Sequence, residues 1–219
     1  RRCEMSDIFY YISCGLLAVG ILLGIFLLSK VRTAATGNAV SCLCAALAVV
    51  LTLFRYELLS DIMLYSCMAV GLVLGLWLAL RVKMIAMPQV VALLNGLGGA
   101  ASAIIAALAF IPGEGSLFSR ITAGLALLVG MVTLIGSLVA AGKLQRVLAQ
   151  RPLVLAGHRI WLTLSLLLML AGLALLSAGP NIAAGLAISI IASTAFGALF
   201  SIRVGGADMP ITISLLNSL

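Results

Sequence analysis

The sequence predicts an all-α fold, a polytopic transmembrane helix bundle of about eight spans. Of its 219 residues, 64% are hydrophobic and 9% are charged, whereas roughly a quarter of the residues in an ordinary soluble domain are charged. The apolar residues also form long unbroken runs, while the strands of a transmembrane β-barrel alternate apolar and polar positions. The composition excludes a soluble enzyme, a DNA-binding domain and a disordered tail, because too few polar residues are present to cover a soluble surface.

Eight apolar runs follow one another along the chain, separated by short polar connections. Since a helix crosses a bilayer in about 20 residues, a chain of this length has room for about eight crossings. We place the runs at residues 8–28, 39–54, 62–80, 89–111, 121–141, 160–177, 182–202 and 211–219. The last run is too short to cross, so we expect the chain to be a fragment whose last span is cut.

The basic residues lie mostly on one side of the predicted membrane. Alternate connections between the spans hold nine of the thirteen Lys and Arg residues, with Asp208 as their one acidic residue. The positive-inside rule therefore places these connections in the cytoplasm and the N-terminus in the periplasm of a bacterial inner membrane. We interpret the charges as determinants of topology rather than as a nucleic-acid site.

A sequence pattern that occurs twice indicates an internal parallel duplication. Residues 81–95 and 203–217 share the pattern R-V-x4-M-P-x4-L-L-N at a constant offset of 122 positions. About four spans separate the copies, and an even number gives both the same direction, unlike the inverted repeats of many transporters. We place the repeat copies at about 8–111 and 121–219.

Several polar side chains are predicted at a similar depth in the cytoplasmic third of the bilayer. Asn95 and Asn217 each follow a Met-Pro helix start by seven residues, which is about 10 Å of helix rise. Ser137 lies at a similar depth in its own span, Thr133 is one turn deeper on the same face, and Ser102 is deeper than Asn95. Two interpretations stay open. The residues form a hydrated path for a small ion, most simply a proton, or they hold helices together.

No Asp, Glu, Lys, Arg or His lies well inside any predicted span. A proton pump normally needs such a group in the membrane, so the carrier would come from a partner subunit, from residues outside this chain or from water. The one histidine, His158, lies beside Arg159 in a basic connection. We interpret it as an interfacial loop residue, or alternatively as part of a docking site for a cytoplasmic domain. Asp208 is expected to cap the helix that follows it.

The sequence offers no arrangement for other chemistry. It contains no Ser-His-Asp set, no paired carboxylates and no Cys/His cluster with metal-ligand spacing. We interpret the five cysteines as small apolar residues. We therefore expect no bound metal.

Three stretches of the chain resemble the beta subunit of proton-translocating NAD(P) transhydrogenase. They are residues 87–102, 136–143 and 205–218, and the likeness extends from about Met5 to Leu219. The resemblance implies a transmembrane proton-channel domain that couples proton flow to hydride transfer between NAD(H) and NADP(H). By the same resemblance, Asn95 stands where some members carry a proton-relay histidine, and Asn217 and Ser137 match polar channel positions.

The resemblance also implies partners and cofactors. The residues expected to couple the channel to an NADP(H)-binding domain are Asp208, His158, Arg159 and Arg203. That domain is expected to be missing here, so neither NADP(H) nor NAD(H) would bind this segment, which alone would not catalyse hydride transfer. The expected partners are an alpha subunit that carries the NAD(H) domain and membrane helices, a second copy of the assembly, and the lipid bilayer. Nucleic acid is not expected.

Two alternatives from other functional classes stay open. A secondary transporter for a small solute would suit the duplicated fold, but the predicted spans contain no charge to bind or couple a solute. A structural membrane anchor would use the same polar residues only for packing.

Overall fold

The chain is an all-helical bundle in the residues that its computed structural model describes, which are 7–111, 115–179 and 181–218. No strand occurs in these ranges. The helices are α1 (Asp7–Leu28), α2 (Ala34–Arg55), α3 (Ile62–Arg81), α4 (Met87–Leu108), α5 (Leu117–Leu144), α6 (His158–Ala178), α7 (Ile182–Ile202) and α8 (Met209–Asn217). All except the short α8 are long and apolar enough to cross a membrane. The predicted polytopic helix bundle is confirmed.

Some helices extend beyond the apolar runs that predicted them. α2 begins at Ala34 rather than at residue 39, and α5 continues to Leu144 rather than ending at residue 141. Hydropathy marks only the apolar part of a helix, whereas backbone hydrogen bonding continues through flanking residues such as Lys143, since lysine is a good helix former. The span predicted at 182–202 coincides with α7.

The described chain divides into two compact units, one ending at Leu80 and the other beginning at Arg81. In the first unit, α1 and α2 approach closely at glycines. A Cβ atom added to Gly37 would lie 2.6 Å from the carbonyl oxygen of Gly24. Nearby, Cys44 packs its sulfur against Gly20. α3 has no buried residue.

α5 is the central helix of the second unit and contacts α4, α6, α7 and α8. Its buried residues include glycines where neighbouring helices approach. Leu173 of α6 packs against Gly124, and Ser201 of α7 packs against Gly136. Small residues are needed at such positions because helices in a bilayer associate through close packing rather than through a hydrophobic driving force.

α4 and α5 approach each other closely at Gly99 and Gly130. A Cβ atom on either glycine would lie 2.6 Å from the carbonyl oxygen of the other, so neither position has room for a side chain. Asn95 lies one turn before Gly99, and Thr133 lies one turn after Gly130. The contact therefore sets the separation of the helices at the predicted polar positions.

The two copies of the repeated pattern start their helices in the same way. A single 3₁₀ turn precedes each helix, Met84–Ala86 before α4 and Gly206–Asp208 before α8, and each has Pro in its first turn. Proline fits there because its missing N–H has no partner to lose. The Met-Pro helix starts are confirmed, while the repeat boundaries stay a prediction.

We expect Gly99→Ala to destabilise the second unit, because the new methyl group would overlap the Gly130 carbonyl and overpacking costs about 1–3 kcal/mol. The matched control is Gly98→Ala, since no atom lies within 4 Å of a Cβ at that position. Thermal unfolding of the detergent-solubilised protein measures both. A midpoint that falls for Gly99→Ala alone is the expected result, and equal midpoints would contradict the close contact.

Candidate functional site

Asn95 and Ser137 form a hydrogen bond that joins α4 to α5. The side-chain Nδ2 of Asn95 donates to Oγ of Ser137 over 3.0 Å. Ser137 is completely buried, and Gly96 makes room for it, since a Cβ at Gly96 would lie 3.2 Å from the Cβ of Ser137. Because hydrocarbon offers no hydrogen bonds, pairing the two groups avoids the cost of leaving them unsatisfied.

Thr133 joins α5 to the end of α8. Its hydroxyl donates a long hydrogen bond, 3.4 Å, to the carbonyl oxygen of Leu216. Leu216 lies in the last turn of α8, where carbonyl groups have no partner within the helix. The next residue is Asn217, so this contact holds the second asparagine near the pair formed by Asn95 and Ser137.

A cavity of about 950 Å³ opens between α4, α5 and α8. Four of the polar residues singled out in the sequence line it: Asn95, Ser102, Thr133 and Asn217. The fifth, Ser137, hydrogen-bonds to Asn95 at the wall. Ser214 also lines the cavity and was missed in the sequence. Its spacing of three residues from Asn217 was the available signal, because that spacing puts both on one helix face.

The cavity wall can solvate an ion but cannot ionise. Its described lining consists of amide, hydroxyl, backbone and apolar groups, with no Asp, Glu, Lys, Arg or His among them. Amides and hydroxyls both donate and accept hydrogen bonds, so they can order water or a hydrated cation. A titratable proton carrier would have to come from outside the described lining.

Lys143 is a third buried polar residue of α5, after Thr133 and Ser137, and the sequence analysis counted it only as a topology charge. It is 2% exposed. Its ammonium group donates to the carbonyl oxygens of Ile202 and Val204, each over 2.6 Å. The sequence feature that could have singled out Lys143 was its position. It follows an apolar run directly and ends the stretch 136–143, which resembles a family motif.

Asp208 and Arg203 lie exposed in the connection between α7 and α8. The predicted side-chain cap by Asp208 is wrong. Asp208 occupies the N-cap position of α8, but its side chain accepts no capping hydrogen bond. Its backbone has φ −92° and ψ −1°, whereas a capping side chain usually requires an extended N-cap residue.

His158 is the first residue of α6 and is 4% exposed, so it lies in a helix rather than in the expected loop, while its interfacial position stays a prediction. Gly157 adopts a positive φ of 69°, a conformation that glycine adopts freely, and so turns the chain into the helix with His158 inside. Neither ring nitrogen has a hydrogen-bond partner among the described residues. Arg159, the next residue, is exposed.

Two connections of the second unit are joined by backbone hydrogen bonds. The amide of Gly206 donates to the carbonyl of Gln150 over 2.7 Å, and the amide of Leu153 donates to the carbonyl of Ile202 over 3.0 Å. The connection between α5 and α6 therefore packs directly on the connection that leads into α8.

The family model described as NAD(P) transhydrogenase beta subunit matches residues 10–219. The chain belongs to this family. Two curated relatives named NAD(P) transhydrogenase subunit beta, one from Rhodospirillum rubrum and one from a designated strain of it, are each 34% identical over 217 residues. The match covers 95% of this chain and 46% of each relative, so the chain spans about half the length of the curated relatives it matches.

Membership in the family agrees with the helical architecture. The described residues form seven helices that are long and apolar enough to cross a membrane, as expected of a multi-pass membrane protein. Within the described ranges, no group of three or more His, Cys, Asp or Glu residues is placed to hold a metal ion.

We expect Asn95 and Ser137 to be energetically coupled. A cycle of Asn95→Ala, Ser137→Ala and the double variant should give an interaction energy of about 0.6 kcal/mol, and at most about 1.7, because each truncation leaves the other group unpaired. Equilibrium unfolding in bicelles measures the cycle. The control cycle pairs Asn95→Ala with Ser119→Ala, since Ser119 is exposed in the first turn of α5. Additivity is expected for the control, and additivity at Ser137 as well would argue against the hydrogen bond.

Proposed function

We propose that this chain forms the proton-conducting part of a proton-translocating NAD(P) transhydrogenase, in which proton flow across the membrane is coupled to hydride transfer between NAD(H) and NADP(H). The observation that supports the proposal is the polar cavity between α4, α5 and α8 in a chain of the transhydrogenase beta-subunit family. Proton conduction needs hydrogen-bonding groups that extend into the membrane, and this cavity supplies them.

In this proposal, the asparagines and hydroxyls of the cavity bind and orient water. Asn95 and Asn217 face the same cavity from α4 and α8, while Thr133 and Ser102 line it further along their helices. Ser137 fixes the amide of Asn95 through its hydrogen bond. Because none of these groups titrates near neutral pH, the proton carrier would come from a partner subunit, from residues outside this chain or from water. The resemblance to the transhydrogenase family implies a histidine in the membrane segment of an alpha subunit.

Coupling is proposed to run through the connections that are joined at Gly206 and Gln150. Asp208 and Arg203 are exposed in the α7–α8 connection and Arg159 is exposed in the first turn of α6, beside the buried His158. An NADP(H)-binding domain would contact the three exposed residues. A change in the bound nucleotide would shift the α7–α8 connection and with it α8. Such coupling requires two states in which both sites make different contacts.

The proposed setting is the bacterial cytoplasmic membrane, with the N-terminus in the periplasm and the basic connections in the cytoplasm. NADP(H) binds a further domain of the complete beta subunit, NAD(H) binds the alpha subunit, and two copies of the assembly form a dimer. The described segment binds neither nucleotide and does not transfer hydride alone.

We expect Asn217→Leu in the complete enzyme to slow proton-coupled turnover by about tenfold or more, equivalent to ~1.4 kcal/mol or more, while NADP(H) still binds. Leucine has a similar size but removes the amide from the cavity. The matched control is Leu215→Met, since Leu215 belongs to the same helix turn but lies outside the cavity lining. Proton uptake by proteoliposomes and nucleotide binding measure the two effects.

Unchanged proton pumping by Asn217→Leu, at an equal amount of assembled enzyme, would contradict the proposal. Alanine variants of Asn95, Asn217 and Ser137 that reduce assembly but keep the number of protons moved per hydride would instead support a structural anchor.

A further inference from the structure

Lys143 is the one buried Lys, Arg, Asp or Glu in the described part of the chain. Burying an ammonium group is strongly unfavourable unless the group is well paired. In most proteins the partner is a carboxylate, but here both described partners are main-chain carbonyls. The contact therefore holds a backbone segment rather than a side chain.

The segment that Lys143 holds is the connection from α7 to α8. Ile202 is the last residue of α7, and Val204 lies in the connection. The last carbonyls of a helix lack intrahelical partners and carry the negative end of its dipole. The carbonyl of Ile202 is one of these. An ammonium group placed between it and the carbonyl of Val204 in the connection neutralises the end of the dipole and fixes the direction in which the chain leaves α7.

The apolar side of the same α5 turn packs against the start of α8. Ala140 and Ala141 form a buried cluster with Met209 and Ile213 of α8, and Val204 borders it. Met209 is completely buried. The end of α5 therefore holds the start of α8 through polar and apolar contacts together.

α4 is attached to the last turn of α5 by a neutral side-chain amide rather than by an ammonium group. The side-chain Nε2 of Gln89 donates to the carbonyl oxygen of Leu144 over 3.1 Å. Asn95 lies two turns along α4 from Gln89, and Asn217 lies two turns along α8 from Met209. The last turn of α5 thus holds the first turns of both helices that present an asparagine to the cavity.

We propose that Lys143 is a positioning residue for proton coupling, and this inference rests on the function proposed above. Its ammonium group holds the α7–α8 connection at the end of α5, so that movement of the cytoplasmic connections is transmitted to α8 and Asn217. Lys143 does not line the cavity and acts through α8. Without the ammonium group, the connection moves independently of α8 and hydride transfer proceeds with fewer protons translocated.

The test uses the complete transhydrogenase complex in proteoliposomes and measures protons translocated per hydride transferred, together with NADP(H) affinity. Lys143→Met keeps the length and helix propensity of the side chain but removes every donor. We expect it to lower the proton-to-hydride ratio by about fivefold or more, with NADP(H) still bound. Lys143→Gln keeps an amide donor and is expected to lower the ratio less.

The matched control is Lys83→Met, since Lys83 is exposed in the equivalent connection of the other repeat copy and should leave the ratio unchanged. If Lys143→Met does not assemble, Lys143→Gln gives the same test, with a reduced ratio expected. A ratio equal to that of the wild type in the assembled variants overturns the inference, even where total activity falls with the amount of complex. A wild-type complex that transfers hydride without moving protons overturns the proposed function instead, and the inference with it.

Discussion

The second unit depends on the close approach of α4 and α5 at Gly99 and Gly130, where each carbonyl oxygen occupies the space that a side chain would need on the other helix. In a bilayer, lipid is as apolar as a leucine side chain, so helices gain little from burying leucine and associate where their backbones can come together. This contact brings Asn95 within hydrogen-bond distance of Ser137. It also sets Thr133 beside α8, and the polar cavity is the space left between the three helices.

The two copies of the repeated sequence pattern share a beginning but are anchored differently. Both helices start with Met-Pro after a 3₁₀ turn, and both present an asparagine seven residues after the proline. In the first copy, Gln89 ties the helix to α5. The equivalent position in the second copy is Ile211, which is 73% exposed, and the tie comes instead from Lys143 on α5. The neutral amide of Gln89 and the ammonium group of Lys143 thus both hold a repeated helix start at α5. Only the ammonium group also neutralises the C-terminal end of a helix, that of α7.

The axial positions of the polar residues could be predicted from sequence, because helix rise is constant and a Met-Pro start fixes where counting begins. The partners of those residues could not. The similar depth of Asn95 and Ser137 does not show that their helices are neighbours or that their side chains face each other. Asp208 has the right residue type and position for a cap, yet its backbone angles leave the side chain unused. His158 looked like a loop residue because hydropathy does not register the glycine turn that buries it.

The sequence by itself determined the membrane class, the helical spans, the two repeated helix starts and the family motifs, because these depend on residue type and on order along the chain. Only the tertiary structure decided that Gly99 faces Gly130, that the polar side chains of three helices share one cavity, and that Lys143 is buried against the end of α7. Those features depend on which helix lies beside which and at what rotation. The hydropathy of long apolar helices carries little information about either, since nearly every face of such a helix is apolar.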